Sequence, residues 1–131
     1  MPVRVFVHER LKSTSPSHVL SKLIDDFKIY KATGKLPELF GRDVPYDFPF
    51  AVKEAGLQHI HIKDATSKNW TIHKISFNKT SDTALIYCQG AIQSDCFLLI
   101  AILESAHQTY RTMPLYLLEL ADIAEKFRES F

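Results

Sequence analysis

TALIYCQ, GAIQSD and CFLLIAIL follow one another over residues 83–89, 90–95 and 96–103, and the fold turns on them. The first and last runs are short, apolar and rich in β-favouring residues, which reads as two strands. GAIQSD is a polar turn of hairpin length between them. Neither run alternates cleanly between apolar and polar. Both faces are apolar, as in central strands covered on two sides or in a sheet face covered by a partner.

Upstream the pattern is again β. Leu57-Gln-His-Ile-His-Ile-Lys63 alternates, with Leu57, His59, His61 and Lys63 on one face and Ile60 and Ile62 on the other. After the polar DATSKN, residues 70–77 read as another strand, closed by the turn NKTSD. Runs 57–63, 70–77, 83–89 and 96–103 thus predict a four-stranded antiparallel meander. At the start of the chain, VRVFV (3–7) predicts an N-terminal strand. Ser15-Pro16 then signals a helix start, since a hydroxyl can cap free N–H groups and proline suits the first helical position. Val19, Leu20, Leu23, Ile24, Phe27 and Tyr30 follow as one apolar stripe, with Lys22, Asp25, Asp26 and Lys28 opposite, and Gly34 ends the helix. Residues 35–56, broken by Pro37, Gly41, Pro45, Pro49 and Gly56, read as a structured loop with short helical turns near 36–40 and 49–55. Long loops of this kind commonly carry function. Leu115 to Arg128 is the C-terminal helix. The expected class is α+β, a single domain over 1–131 with its helices on one side of the sheet.

The chain has 131 residues, 46% hydrophobic and 24% charged, which excludes disordered, collagen-like and coiled-coil classes. Sixteen Lys and Arg against 15 Asp and Glu leave a net charge of +1, so no global field draws the chain to nucleic acid or acidic lipid. Any RNA site is a local patch. The two cysteines, Cys88 and Cys96, sit in apolar runs and read as buried thiols, although a hairpin would bring them near each other. The start, MPVRVFVHERLK, carries charges too closely spaced for a secretory leader. The longest apolar run, 97–103, is too short to span a bilayer. A cytoplasmic protein is expected.

No dinucleotide, P-loop, zincin or nucleophile-elbow motif is present. The chemistry-bearing residues are histidines and cations. His59 and His61 form an HxH on one strand face, His73 lies on the next expected strand and could come near, and three imidazoles can bind zinc. The same pair fits a structural role, or RNA contact and proton transfer near neutral pH. His107 stands just past the last apolar run, with Tyr110 and Arg111 beside it. Arg42 has the planar fork that suits phosphate, or it pairs locally with Asp43. Lys74 and Lys79 are candidates for the local basic patch.

GKLPELFGRD (34–43) with Tyr46-Asp47, HIHI (59–62), ALIYCQGA (84–91), FLLIAIL (97–103), His107 and IAEKFRESF (123–131) together resemble the YafO-type toxins, from about residue 25 to the C-terminus. These are the toxin halves of bacterial toxin–antitoxin pairs. The resemblance implies an mRNA interferase, an endoribonuclease that cuts mRNA with the translating ribosome and is neutralised by a cognate antitoxin. It also implies a RelE-like fold. In several RelE-like toxins a histidine or tyrosine after the last strand is the general acid, which gives that role to His107 with Tyr110 as its neighbour.

Metal-free RNA cleavage needs a base for the 2′-hydroxyl, a cation for the phosphate and an acid for the departing 5′-oxygen. The expected assignment is His107 as acid, His59 or His61 as base and Arg42 on phosphate. Lys74, Lys79, Arg111 and Tyr110 would contact RNA, with no metal or other cofactor. Lys and Arg should then cluster around the HIH strand and the 104–111 connector. A non-catalytic interaction module and a small hydrolase using His59, His61 and His73 for metal remain as alternatives. The apolar faces permit a homodimer without requiring one.

Overall fold

The computed structural model describes residues 2–64, 79–104 and 114–131. Its elements are β1 (Arg4–Val7), α1 (Glu9–Thr14), α2 (Ser17–Thr33), β2 (Phe40–Pro45), α3 (Phe50–Glu54), β3 (Gln58–Ile62), β4 (Thr83–Gln89), β5 (Cys96–Leu103) and α4 (Pro114–Ser130). The strands form one five-stranded sheet in the order β1-β5-β4-β3-β2.

This sheet differs from the expected meander in three respects. First, β3 pairs directly with β4, His59 opposite Ile86 and His61 opposite Ala84, so no strand stands between them. The expected strand at 70–77 lies outside the described residues. Second, β1 joins the sheet parallel to β5, Arg4 opposite Cys96 and Val7 opposite Leu99, which makes the sheet mixed. Third, the far edge is β2, drawn from a stretch expected to be loop. FGRDVP carries a glycine, two charges and a proline, and offers no alternation to read. An edge strand needs ladder bonds on one side only, so Pro45 is tolerated at its end.

The helices also cover both faces of the sheet, not one. On the first face α4 and α3 place Leu117, Leu120, Ala121, Ala124, Val52 and Ala55 against Leu57, Ala84, Ile86, Cys88, Leu98 and Ile100. On the second, α1 and α2 place Leu11, Leu23 and Phe27 against Ile60, Leu85, Tyr87, Phe97 and Leu99. This is why β4 and β5 are apolar on both sides: each lies between two helical layers of the same chain. A register shift explains the unclear alternation of FLLIAIL. Ile86 faces Ala101 while Tyr87 faces Leu99, so Ile100 has no opposite number. Ile100 and Ala101 consequently both turn to the α4 side.

α2 is held by Phe27, whose ring meets Tyr87 and Phe97 edge-on at 5.1 and 5.3 Å. Pro16 occupies its cap position, and no side chain caps the helix. Gly34, at φ 75°, ends it as expected, its N–H bonding the Tyr30 carbonyl at 2.8 Å. The short α1 was not legible from sequence; the His8 ring caps it by accepting from the Arg10 N–H. Both cysteines are buried and free, as expected. No helix among the described residues is long and apolar enough to cross a membrane.

Candidate active site

The β2–β3 edge brings several of the expected residues together. Phe40 pairs with Ile62 and Asp43 with Ile60, so Gly41 and Arg42 share the single opposing position of His61. This bulge is possible where a glycine relaxes the strand, and it twists the edge. Asp43 turns to the α2 side, so Arg42, its neighbour along the pleat, belongs to the side of His59 and His61. The Arg42 N–H bonds the Lys79 carbonyl at 2.8 Å, which ties the segment before β4 to the bulge.

His59 and His61 project from β3 on the α4 side, ring centroids 5.6 Å apart. Tyr46, just past β2, stacks on His59 at 4.1 Å and 19°. His59 is half-buried, whereas His61 is only 4% exposed. The main chain of Ser81 brackets His61: its N–H donates to Nδ1 at 2.9 Å, and its carbonyl lies at the same distance. The Ser81 hydroxyl donates to main-chain carbonyls beside it, those of Ile62 and Thr83, and so fixes the clamp.

The opposite face carries a polar network that sequence reasoning missed. The Asp43 carboxylate accepts from Tyr30 Oη at 2.7 Å, Tyr87 Oη at 2.7 Å and Lys31 Nζ at 3.2 Å. Lys31 Nζ also donates to Tyr87 Oη at 2.9 Å and lies over the rings of Tyr30 and Tyr87. Burial, then the negative charge of Asp43 and the bond to it, push the Tyr87 phenol far above its ordinary range. Tyr30 is raised as well, by burial, its bond to Asp43 and the charge of Asp43. The local pairing considered for Arg42 and Asp43 is thus replaced by a tie from β2 across β4 to α2. The one available signal was an aspartate and a tyrosine in otherwise apolar strands, and it names no partner.

His107, Tyr110, Arg111, Lys74 and His73 lie outside the described residues. Of the expected cations, Arg42 and Lys79 are joined at this edge through their main chains. The neighbouring charges are mixed: Lys63 follows β3, but so does Asp64, and Asp82 precedes β4. No single-sign patch forms there among the described residues. Nor, among them, do three or more His, Cys, Asp or Glu side chains group as they would around a metal ion.

Chemically, this edge offers an imidazole within reach of solvent, a second imidazole held against the Ser81 main chain, and a guanidinium. That set can take a proton and neutralise a phosphate. Comparison with known proteins gives a consistent direction. The family described as "Toxin YafO, type II toxin-antitoxin system" matches residues 28–129. The chain is similar to the mRNA interferase toxin YafO of Escherichia coli (strain K12), 33% identical over 133 residues, covering 98% of this chain and 100% of that protein. No solved structure matches.

Proposed function

This chain belongs to the YafO toxin family of type II toxin–antitoxin systems, and on that premise we propose that it is an mRNA interferase whose active site lies on the β2–β3 edge. The observation that carries the reading is the pair His59 and His61 on one face of β3, with Arg42 in the β2 bulge opposite His61, in a chain similar end to end to a named mRNA interferase. The partner that follows from the family is a cognate antitoxin. The toxin acts in the cytoplasm as one domain over 1–131, with a RelE-like arrangement, and cuts messages on the translating ribosome.

In the proposed reaction His59 takes the proton of a 2′-hydroxyl. The freed oxygen attacks the adjacent phosphorus, the O2′–P bond forms and the P–O5′ bond breaks. Arg42 neutralises the charge that builds on the phosphate. His107 gives its proton to the departing 5′-oxygen. The products are a 2′,3′-cyclic phosphate and a 5′-hydroxyl. His61 is the positioning residue: buried and clamped by Ser81, it holds the bulge and the ring of His59 in place. The ribosome supplies orientation, which in favourable intramolecular cases is worth roughly 7–11 kcal/mol.

Induced expression in a bacterium, with primer extension on a reporter message, tests this. The parent should arrest growth and create new 5′ ends inside the translated region. His59→Ala and His107→Ala should each lower cleavage by about 10²–10⁴-fold at equal protein level. Arrest without new ends would replace the nuclease by a translation-blocking binder. Full cleavage by both variants would remove this site.

A further inference from the structure

The loop from β2 to α3 ends in Asp47-Phe48-Pro49-Phe50, and its two phenylalanines point outward: Phe48 is 64% exposed and Phe50 72%. Scattered apolar residues on a surface are ordinary, but here two large exposed rings stand two residues apart on one loop. The loop is firmly placed. Pro45 and Pro49 fix its backbone φ at both ends, and α3 is pinned by Val52 and Ala55 in the core. The rings are therefore presented in advance, at little entropic cost on binding.

Their location gives the patch a ligand. Tyr46, two residues before Phe48, is the ring stacked on His59. Two residues span at most about 7 Å of chain. The edge thus runs from Arg42 through His61 and His59 to Tyr46 and on to Phe48 and Phe50. Lys53, exposed on α3 three residues after Phe50, shares its helix face. Asp47, also exposed, is engaged within the chain. Exposed aromatic rings with a cation alongside, continuous with a phosphate-binding end, are the recognition chemistry of single-stranded nucleic acid.

We infer that Phe48 and Phe50 form a stacking platform for unpaired bases of the message flanking the cleaved phosphate. This rests on the nuclease reading above. Phenylalanine offers no hydrogen bond to a base edge, so the platform selects by stacking and favours purines over a strict sequence.

The test maps new 5′ ends across the transcripts of cells expressing, at equal protein level, the parent, the Phe48→Ala/Phe50→Ala pair or the Phe48→Trp/Phe50→Trp pair. Antitoxin capture by each is measured in parallel. Removing both rings should lower cleavage by about tenfold or more and flatten the base preference beside the cut, with antitoxin capture kept. The Trp pair should recover both. If the Ala pair does not accumulate, Phe48→Ser and Phe50→Ser singly give the same readout. Unchanged rate and preference without the rings would overturn the platform. So would lost antitoxin capture with cleavage intact, which would assign the patch to the antitoxin, or a lower rate with the preference unchanged. No new ends from the parent would instead overturn the nuclease reading, and the platform with it.

Discussion

Asp43 accepts from Tyr30, Tyr87 and Lys31 in a setting largely closed to water, so each partner depends on the charge of the others. Asp43→Asn would leave the Lys31 ammonium without its counter-charge. Fully buried pairs lose about 3–5 kcal/mol in this way. Lys31 and Asp43 keep 20% and 12% side-chain exposure, so about 2–3 kcal/mol is expected here, read as a lower urea midpoint. Tyr87→Phe removes the bond to Asp43 and the one from Lys31 and should cost about 2–4 kcal/mol. An unchanged midpoint in both would contradict the network. The same residues set an alkaline limit. Unfolded tyrosine releases its proton near 10.0, while folded Tyr30 and Tyr87 hold theirs to higher pH. Cys88, ordinarily near 9.0, is pushed up to about 12 by burial, although the Arg128 charge and a main-chain bond near Leu98 oppose this. In each case the unfolded chain loses the proton first. The stabilisation is complete below about pH 9 and falls as pH rises through 9 and 10. Tyr30→Phe/Tyr87→Phe should flatten the fall above pH 10; the parental slope in that variant would show that these phenols do not cause it.

At the scale of elements, the helix–strand junctions carry the sharpest conformational demands. Gly56, between α3 and β3, has φ 74°, and a Cβ there would run into the Arg128 guanidinium of α4. Gly56→Ala therefore combines backbone strain with displacement of a half-buried arginine and should cost about 1–3 kcal/mol. Gly34 has the same φ but open space around it, so Gly34→Ala should cost only about 1 kcal/mol. Equal losses at the two sites, by thermal unfolding, would contradict the Arg128 contact. These junctions also show what the sequence could convey. α2, α4, β1, β3, β4 and β5 were legible because each has its own period, stripe or stop signal. β2 was not, because its six residues are held by register against β3 and by the bulge rather than by a pattern of their own. The second helical layer was not, because double-sided apolar strands indicate that both faces are covered without saying by what. Within the site, the HxH spacing made the shared face of His59 and His61 readable. The Ser81 clamp and the Tyr46 stack were not readable, since both join residues distant in sequence through backbone geometry.

At the scale of the molecule, two helical layers cover both faces of the sheet among the described residues, and the β2–β3 edge carries ionisable groups beside exposed rings. A chain of net charge +1 has little long-range attraction for RNA, so the proposed nuclease would depend on the ribosome, or on a local patch, to bring the message to it. In the proposed reaction the chain cuts mRNA by attack of the 2′-hydroxyl, driven by imidazole and guanidinium groups. The end chemistry of the fragments distinguishes this attack from hydrolysis by water. Messages cut in cells expressing the parent should carry 5′-hydroxyl ends, ligating to an adaptor only after treatment with a polynucleotide kinase, and 2′,3′-cyclic phosphates on the upstream pieces. Fragments with 5′-phosphates and free 3′-hydroxyls would mean that water, not the 2′-hydroxyl, attacked, and would contradict the mechanism assigned to this edge.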